Sequence, residues 1–241
     1  MIIAFIPARS GSKSIKDKNL IKLGGKPLIV WSIETAFACK KINKVIVSTD
    51  SPRYTKLAEK YGAEVPFLRP KKIATDASPV VKTIKHAVFE LEKKGNKINI
   101  IVLLQPTNPF RKVRDIDKSL EMIKKPNTDS VVGVCEAEHN PYHVMAGIKN
   151  NYLEYPLFKT KKSIHYRQRA PKVYRISGNL YTFKKNVFMK ENTIFAKKTR
   201  PLVMPGELSI DIDTETDLLY AEFMLKRSKL LVGMKTGTAK R

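Results

Sequence analysis

The chain has 241 residues and a formal net charge of +24, from 46 basic and 22 acidic side chains. Its hydrophobic fraction of 42% and charged fraction of 28% are typical of a globular protein with one sizeable core, which disfavours a disordered chain and two separate domains. No apolar stretch approaches the roughly 18 residues that cross a membrane, and the apolar start at residues 1–6 is too short for a signal peptide.

The positive charge is spread along the chain. Lysines occur as separated pairs such as Lys40-Lys41, and most pairs fall in predicted loops or at predicted helix ends. A nucleic-acid-binding surface usually gathers its cations on one face, so this distribution disfavours a nucleic-acid partner and favours a solvated surface suited to polyanionic substrates. Cys39 and Cys135 lack metal-ligand spacing, which favours reduced thiols and a cytoplasmic location.

Short β-branched runs alternate with longer amphipathic stretches over residues 1–135, as in a parallel α/β fold. Strands are predicted at 2–6, 45–47, 63–68, 98–104 and 130–134, and helices at 27–39, 52–60, 78–94 and 114–125. The run at 98–104 is almost continuously aliphatic, which predicts a strand covered on both faces in the middle of the sheet.

The pattern changes in the second half of the chain. Residues 138–173 are rich in Pro, Tyr, Asn, His and Lys, which predicts hairpins or an extended arm. Strands are then predicted at 178–183 and 208–213, followed by a closing helix at 214–227 that begins with a Thr214-x-x-Asp217 capping pattern. Residues 231–241 have no periodicity, so we expect one domain over 1–230 and a mobile tail.

A polar loop rich in small and basic residues follows the first predicted strand. Its backbone at Gly11 and Ser12 would let N–H groups approach phosphate oxygens. Arg9, Lys13 and Lys18 would supply positive charge. The loop therefore predicts a site for a triphosphate.

This loop is not a P-loop. Lys13 and Ser14 could form the K-[ST] end of G-x-x-x-x-G-K-[ST], but Pro7 and Ser12 occupy the two glycine positions. Without those glycines the loop cannot wrap one phosphate in the P-loop manner. A solvated basic loop without a function is the alternative that the loop alone leaves open.

Asp211 and Asp213 alternate with isoleucines in the predicted strand at 208–213. A period of two would place both carboxylates on one face, about 7 Å apart. Mg²⁺ prefers carboxylate and phosphate oxygens together with water, so two carboxylates facing a basic phosphate loop predict a magnesium site. The alternative is that Asp213 caps the closing helix and Asp211 is a surface residue.

Two further groups could bind ligands. Gln105 ends the central predicted strand, where open α/β sheets place ligands and where an amide can contact a base or a sugar. The alternative is a turn residue. The Tyr-Arg-Gln-Arg run at 166–169, with Arg175, could bind a carboxylate or phosphate, or could form a solvated loop. No nucleophile motif is present, so covalent catalysis is not predicted.

In their order along the chain, four motifs resemble those of the CMP-N-acetylneuraminate synthetase family, cytidylyltransferases that activate acidic nine-carbon sugars. They are Ala8-Arg9-Ser10-Gly11-Ser12-Lys13 with Lys18-Asn19, Val47-Ser48-Thr49-Asp50, Leu103-Leu104-Gln105-Pro106-Thr107 and Ile210-Asp211-Ile212-Asp213-Thr214. The resemblance covers about residues 1–227. It implies an α/β fold, the Rossmann-like nucleotide-diphospho-sugar transferase fold, with a mostly parallel central sheet and a dimerisation arm at 138–173.

The resemblance also implies a reaction and a set of site residues. CMP would pass from CTP to the anomeric hydroxyl of a nonulosonic sugar acid, with release of pyrophosphate, in a homodimer. The residues implied to hold CTP and line the nucleotide and sugar pocket are Arg9, Ser12, Lys13, Asn19, Arg69, Ser78 and Gln105. Asp211 and Asp213 would carry Mg²⁺. Lys18, Arg167 and Asp211 would be the catalytic groups, with Arg167 reaching the sugar carboxylate across the dimer.

Departures from the family pattern leave the acceptor open among N-acetylneuraminic, legionaminic, pseudaminic and related acids. Ser14 and Lys16 replace a glycine and a proline of the phosphate loop. Ser177 replaces an asparagine before Gly178, and His143 replaces a lysine near the sugar acid. The alternatives are a cytidylyltransferase for the eight-carbon acid of lipopolysaccharide and, from another class, a non-catalytic basic α/β protein that binds RNA.

Overall fold

The computed structural model describes residues 1–12, 14–158, 164 and 166–237, with the backbone alone for Arg167 and for 228–237. Within these residues the strands are β1 (Ile2–Pro7), β2 (Lys22–Leu23), β3 (Lys26–Pro27), β4 (Lys44–Ser48), β5 (Ile100–Leu103), β6 (Ser130–Glu136), β7 (Gly147–Lys149), β8 (Tyr152–Glu154), β9 (Tyr174–Lys184) and β10 (Thr199–Val203). The α-helices are α1 (Leu28–Ala38), α2 (Pro52–Lys60), α3 (Val80–Lys93), α4 (Val113–Met122), α5 (Lys185–Glu191) and α6 (Glu215–Gly237).

Six strands form the central sheet in the order β10-β6-β9-β5-β1-β4. β1 pairs in parallel with β4 and β5, and β10 pairs in parallel with β6. β9 runs antiparallel between β5 and β6. The predicted mostly parallel α/β fold is therefore confirmed, and β5 lies in the middle of the sheet as its aliphatic sequence predicted.

The core lies on both faces of this sheet because successive side chains of β5 point in opposite directions. Val102 packs in the cluster that includes apolar residues of α1 and α4. Ile101 and Leu103 pack in the other cluster, with apolar residues of α3 and α5. All three side chains are fully buried. In the part of the chain that the structure describes, no helix is long and apolar enough to cross a membrane.

Two predicted strands are wrong. Residues 63–68 run beside β4 and form only the isolated bridges Ile46–Glu64 and Thr49–Leu68. Residues 208–213 follow a 3-10 helix at Gly206–Leu208 and join no strand ladder. Their alternation has another cause, because the isoleucines at 210 and 212 pack in a third cluster beside the start of α1 while the backbone forms a loop.

Other boundaries also differ from the prediction. β9 begins at Tyr174, four residues before the predicted start at 178, while β10 and α5 were not predicted. The predicted capping pattern is confirmed, since Thr214 and Asp217 exchange hydrogen bonds at the start of α6. α6 continues to Gly237, beyond the predicted end at 227, so part of the predicted tail is helical. Residues 238–241 lie outside the described part.

The predicted arm contains a short hairpin. β7 and β8 pair antiparallel, with Ile148 opposite Leu153. The side chains of Ile148, Tyr152 and Leu153 are 80%, 78% and 71% exposed. Three neighbouring large apolar groups in solvent are unusual for a surface that contacts nothing, so the hairpin is a candidate interaction surface.

We predict that Ile101→Ala lowers the free energy of unfolding by about 2–5 kcal/mol, because it opens a cavity in the central strand. Urea denaturation monitored by circular dichroism measures this change. Leu219→Ala is the control, since Leu219 is 67% exposed on α6. It should change the free energy by no more than about 0.5 kcal/mol. Equal losses in both variants would contradict the placement of β5.

Candidate active site

The loop that follows β1 is fastened to the loop that follows β4. The Asp50 carboxylate accepts hydrogen bonds from the Ser10 backbone N–H at 2.9 Å and from the Ser10 hydroxyl at 2.8 Å. The Asn19 side-chain amide closes the other end of the loop by donating to the Arg9 carbonyl at 3.1 Å. β1 and β4 are parallel, so both loops leave the same edge of the sheet and can be joined in this way.

A second contact fixes the loop at Asp17, which adopts the left-handed conformation with φ of 52° just before a 3-10 helix at Lys18–Leu20. Its carboxylate accepts from the Arg53 guanidinium at 3.1 Å and from the Tyr54 hydroxyl at 3.3 Å. Burial, together with the Asp17 carboxylate, raises the pKa of Tyr54. Because this phenol stays protonated, it remains a hydrogen-bond donor that ties α2 to the loop.

A cleft of roughly 210 Å³, open to solvent, lies at this edge of the sheet. Of the predicted site residues, those that line it are Arg9, Ser12, Lys18, Asn19, Arg69, Ser78 and Gln105. The structure therefore brings together the predicted loop, the end of β5 and the segment before α3. Lys13 lies outside the described residues.

The two arginines of the cleft are held differently. Arg9 forms an ion pair with Asp76 across the cleft and also donates to the Gly11 carbonyl. Arg69 is buried and donates to the Ser48 carbonyl and, at 3.1 Å, to the Ser48 hydroxyl. Burial lowers the pKa of Arg69 to about 10. Arg69 thus fixes the end of β4, whereas Arg9 is a cation whose present partner an anion could replace.

The serine positions differ from the expected phosphate cradle. The Ser12 N–H donates to the Ser10 carbonyl at 3.0 Å, and the Ser10 N–H is held by Asp50. Both N–H groups are therefore already engaged within the protein, while the loop lines the cleft with Arg9, Ser12 and Lys18. On the opposite wall, the Ser78 hydroxyl hydrogen bonds the Thr75 hydroxyl at 2.8 Å.

Lys18 connects the loop to the predicted carboxylate pair. Its ammonium group lies 2.6 Å from an Asp213 carboxylate oxygen, and its side chain is only 12% exposed. Desolvation is the main cause that raises the pKa of Asp211, and the nearby Asp213 carboxylate adds to it. Hydrogen bonding to Thr107 and Asn108 and the charge of Lys18 lower that pKa in part. The two aspartates are therefore close together, although they do not lie in a strand.

The carboxylate pair suits a hard cation that also binds a ligand. In the described residues no group of three histidine, cysteine, aspartate or glutamate side chains forms a complete metal cage. Mg²⁺ does not need one, because it commonly takes one or two carboxylates and completes its shell with water and substrate phosphate oxygens. Desolvation and the nearby Asp213 carboxylate raise the pKa of Asp211, which means that its negative charge is disfavoured. A bound cation would stabilise that charge.

A glycine places β9 against the end of β5. Gly178 has φ of +70°, and a Cβ there would lie 2.9 Å from the Asn108 amide nitrogen and 3.2 Å from an Asp211 carboxylate oxygen. It would also lie 3.4 Å from the Gln105 side-chain oxygen. A larger residue would displace these groups, so Gly178 is required where Gln105, Asn108 and Asp211 meet.

Several of these residues were not predicted. Asp50 belongs to one of the four family motifs, but neither Asp50 nor Asn108 was assigned a role from the sequence. A signal was present, because polar residues at the carboxyl end of a buried central strand lie where α/β sheets bind ligands. The hydrogen bond from Arg175 to the Ser209 carbonyl, at 3.1 Å, places that arginine beside the loop of the carboxylates.

Two residues that depart from the family pattern, Ser177 and His143, have different surroundings. Ser177 is buried, and its hydroxyl donates to the Gly133 carbonyl at 2.9 Å beside the irregularity between β6 and β9. It therefore supports the sheet. His143 lies in the arm, where its carbonyl accepts from the Tyr155 hydroxyl. The backbone of Arg167 begins a 3-10 helix at Arg167–Arg169, and its side chain lies outside the described part.

Comparison with known proteins shows the family to which this chain belongs. A family profile described as cytidylyltransferase matches residues 3–233. The chain is 34% identical to a CMP-N,N'-diacetyllegionaminic acid synthase of Legionella pneumophila over 93% of this chain and 96% of that protein. It is 32% identical to an N-acylneuraminate cytidylyltransferase of Escherichia coli over 91% of this chain and 51% of that protein.

A solved structure supports the fold. The CMP:2-keto-3-deoxy-manno-octonic acid synthetase, complexed with CTP, superposes with a TM-score of 0.70 over 94% of this chain and 99% of that chain. The sequences are only 16% identical. The likeness therefore shows the Rossmann-like nucleotidyltransferase fold.

We predict that Asp211→Asn makes the protein more stable near neutral pH. Folding raises the pKa of Asp211, so between its unfolded and folded values the folded state binds the proton more tightly, and stability falls as pH rises through that interval. Above the interval the ionised carboxylate costs stability, which the amide avoids. The melting temperature should rise by about 1–3 °C at about pH 7.

The gain should shrink toward about pH 4, where Asp211 is increasingly protonated in both states. Thermal melts at both pH values measure it. Asp129→Asn is the matched control, because Asp129 forms an ion pair with Lys184 at 3.1 Å far from the cleft. It should give no gain at either pH. A pH-independent change in Asp211→Asn would contradict the assigned cause.

Proposed function

Since the chain belongs to the cytidylyltransferase family, we propose that it transfers CMP from CTP to the anomeric hydroxyl of a nonulosonic sugar acid and releases pyrophosphate. The observation that carries this proposal is the position of Lys18, which lines the cleft with the loop and also contacts the Asp213 carboxylate at 2.6 Å. A triphosphate on the loop would thereby have its α-phosphate near the aspartates. The sequence alternatives, an eight-carbon acid acceptor and an RNA-binding protein, lack comparable support.

We assign the triphosphate to the loop side of the cleft. Arg9 would exchange Asp76 for a phosphate group, since a bidentate guanidinium suits phosphate as well as carboxylate. Lys13 would add a cation from the same loop. Asn19 and Arg69 are already held by backbone or side-chain oxygens, so they shape the site more than they neutralise charge. Ser78 would contact the nucleoside, and Gln105 would contact the sugar acid.

Asp211 and Asp213 would hold Mg²⁺, which when bound polarises a phosphoryl oxygen and neutralises part of the phosphate charge. The fit rests on the donor set described above, two adjacent carboxylates beside a basic loop. Lys18 has its own role in the absence of the ion, because its ammonium group holds the Asp213 carboxylate at 2.6 Å. It would also face the charge that develops on the α-phosphate.

The residues account for an in-line displacement. The anomeric oxygen forms a bond to the α-phosphorus while the bond from that phosphorus to the bridging oxygen breaks, and pyrophosphate leaves with the electron pair. The hydroxyl proton passes to the Asp211 carboxylate. Hydrogen bonds to Thr107 and Asn108 keep this carboxylate oriented.

We predict pyrophosphate release from CTP, Mg²⁺ and a nonulosonic acid, and no turnover when the metal is chelated. Asp211→Ala should lower kcat by at least about 100-fold, because base and metal ligand are both lost. A colorimetric pyrophosphate assay with each common nucleoside triphosphate and several nonulosonic acids measures specificity. Asp129→Ala should behave as wild type. Retained turnover in Asp211→Ala would remove the assignment.

We further propose a homodimer joined by the arm. The exposed apolar hairpin of β7 and β8 is the surface that a second copy would cover. The sugar carboxylate would then be bound by Arg167 of one protomer at the cleft of the other. Arg175, beside the carboxylate loop, is a cation of the same site within one chain.

We predict that co-expressed Arg167→Ala and Asp211→Ala chains regain activity, although each alone is inactive. Random pairing makes half of the dimers mixed, and each mixed dimer has one intact site, so activity should reach about a quarter of wild type. Light scattering should give twice the 27.4 kDa of one chain. Absence of recovery in mixed dimers would place Arg167 in its own protomer's site.

A further inference from the structure

Arg111 is a buried cation just outside the cleft, 5% exposed in the segment between β5 and α4. Its guanidinium donates to the Asn179 carbonyl at 2.7 Å, to the Gln105 carbonyl at 2.9 Å and to the Ser32 hydroxyl at 3.0 Å. These partners belong to β9, to the end of β5 and to α1. One rigid, planar group therefore joins three elements.

The two backbone carbonyls that Arg111 binds belong to Gln105 and to the residue after Gly178, near the Asp211 carboxylate. Gln105 lines the cleft, and Asn179 directly follows Gly178. Gly178 is in turn packed against Asn108 and the Asp211 carboxylate. A shift of either carbonyl would consequently move the Gln105 amide or the glycine that sets the position of Asp211. The phosphate loop is held separately, by Asp50 and by Tyr54.

Burying the Arg111 guanidinium lowers stability, which a purely structural role would not require. All three of its partners among the described residues are neutral oxygens, and burial lowers its pKa to about 9. A buried cation without a carboxylate costs stability that an apolar side chain would not. Two fully buried amide oxygens beside it, on Asn108 and Asn179, also accept no hydrogen bond from the described residues. Such incompletely satisfied polar groups concentrate at functional sites.

We infer that Arg111 is a positioning residue for the acceptor half of the reaction, holding Gln105 and the β9 backbone at Gly178 in position beside Asp211. This inference rests on the proposed function. The cleft would then have two halves that are held separately. Asp50 holds the loop for the triphosphate, and Arg111 holds the groups beside the acceptor and the base. Loss of Arg111 should therefore impair chemistry and acceptor binding and leave CTP binding intact.

The test compares Arg111→Lys and Arg111→Met with wild type in steady-state kinetics. A shift of about 1 Å at a reacting group can cost on the order of 100-fold, so kcat should fall about 10–100-fold and the KM for the sugar acid should rise. The KM and the calorimetric Kd for CTP should stay within about two-fold. Lysine should restore little, because it keeps the charge but loses the planar fork.

Arg200 supplies the matched control. Arg200 lies on β10, at the far edge of the sheet, and donates to the Thr128 hydroxyl at 2.7 Å. Arg200→Lys should therefore leave kcat, both KM values and the Kd for CTP unchanged. Folded Arg111 variants with wild-type kcat and acceptor KM would overturn the inference, as would an equal loss of CTP binding. If neither Arg111 variant folds, Ser32→Ala tests the inference instead. Removing this acceptor of Arg111 should lower kcat and raise the KM for the sugar acid by about 2–5-fold, and should leave CTP binding unchanged.

Hydrogen exchange gives a readout that does not depend on turnover. Arg111→Lys should speed exchange about 10-fold or more in peptides covering 105–111 and 176–181, with no change in peptides covering the phosphate loop. Uniform acceleration, or none, would overturn the inference. An inactive wild-type enzyme with this selective exchange pattern would count against the proposed function alone, so the two failures are distinguishable.

Discussion

The two hydrogen bonds from Ser10 to the Asp50 carboxylate hold the cleft together. Parallel pairing of β1 with β4 and β5 brings three loops to one edge of the sheet, but it does not fix their paths. Asp50 fixes the path of the first loop by binding its backbone and its hydroxyl at once. Arg9 and Lys18 can then face the cleft from a loop in which the N–H groups of Ser10 and Ser12 are already bonded.

The site contains groups that oppose folding. Asp211 is partly desolvated beside a second carboxylate, and Arg69 and Arg111 are buried with neutral partners at the ends of strands. Each lowers stability relative to an apolar or fully solvated alternative. The aliphatic core on both faces of the sheet offsets these costs. This distribution is expected where geometry at a ligand site matters more than local stability.

The sequence predicted the fold and the site members better than it predicted how they are held. Buried parallel strands have a strong aliphatic signal, so β1, β4, β5 and β6 were found. The alternation at 208–213 imitated a strand because its isoleucines pack in a loop, and β10 was missed because Pro201 weakens the strand signal of an edge strand.

The supports of the site were less accessible to sequence reasoning. The partnerships Asp50–Ser10, Lys18–Asp213 and Arg111–Asn179 join residues that are 40, 195 and 68 positions apart. Such contacts have no local periodicity. Arg69 is another example, because it lines the cleft and donates to the Ser48 hydroxyl 21 positions away.

The proposed CTP site has two sides, the basic loop and the aspartate pair. A crystal structure with CTP and Mg²⁺ in the absence of acceptor would test this arrangement. We expect the β- and γ-phosphates on Arg9, released from Asp76, and the α-phosphate between Lys18 and a metal ion bound by Asp211 and Asp213. A nucleotide bound away from the loop, or a metal ion without either aspartate, would contradict it.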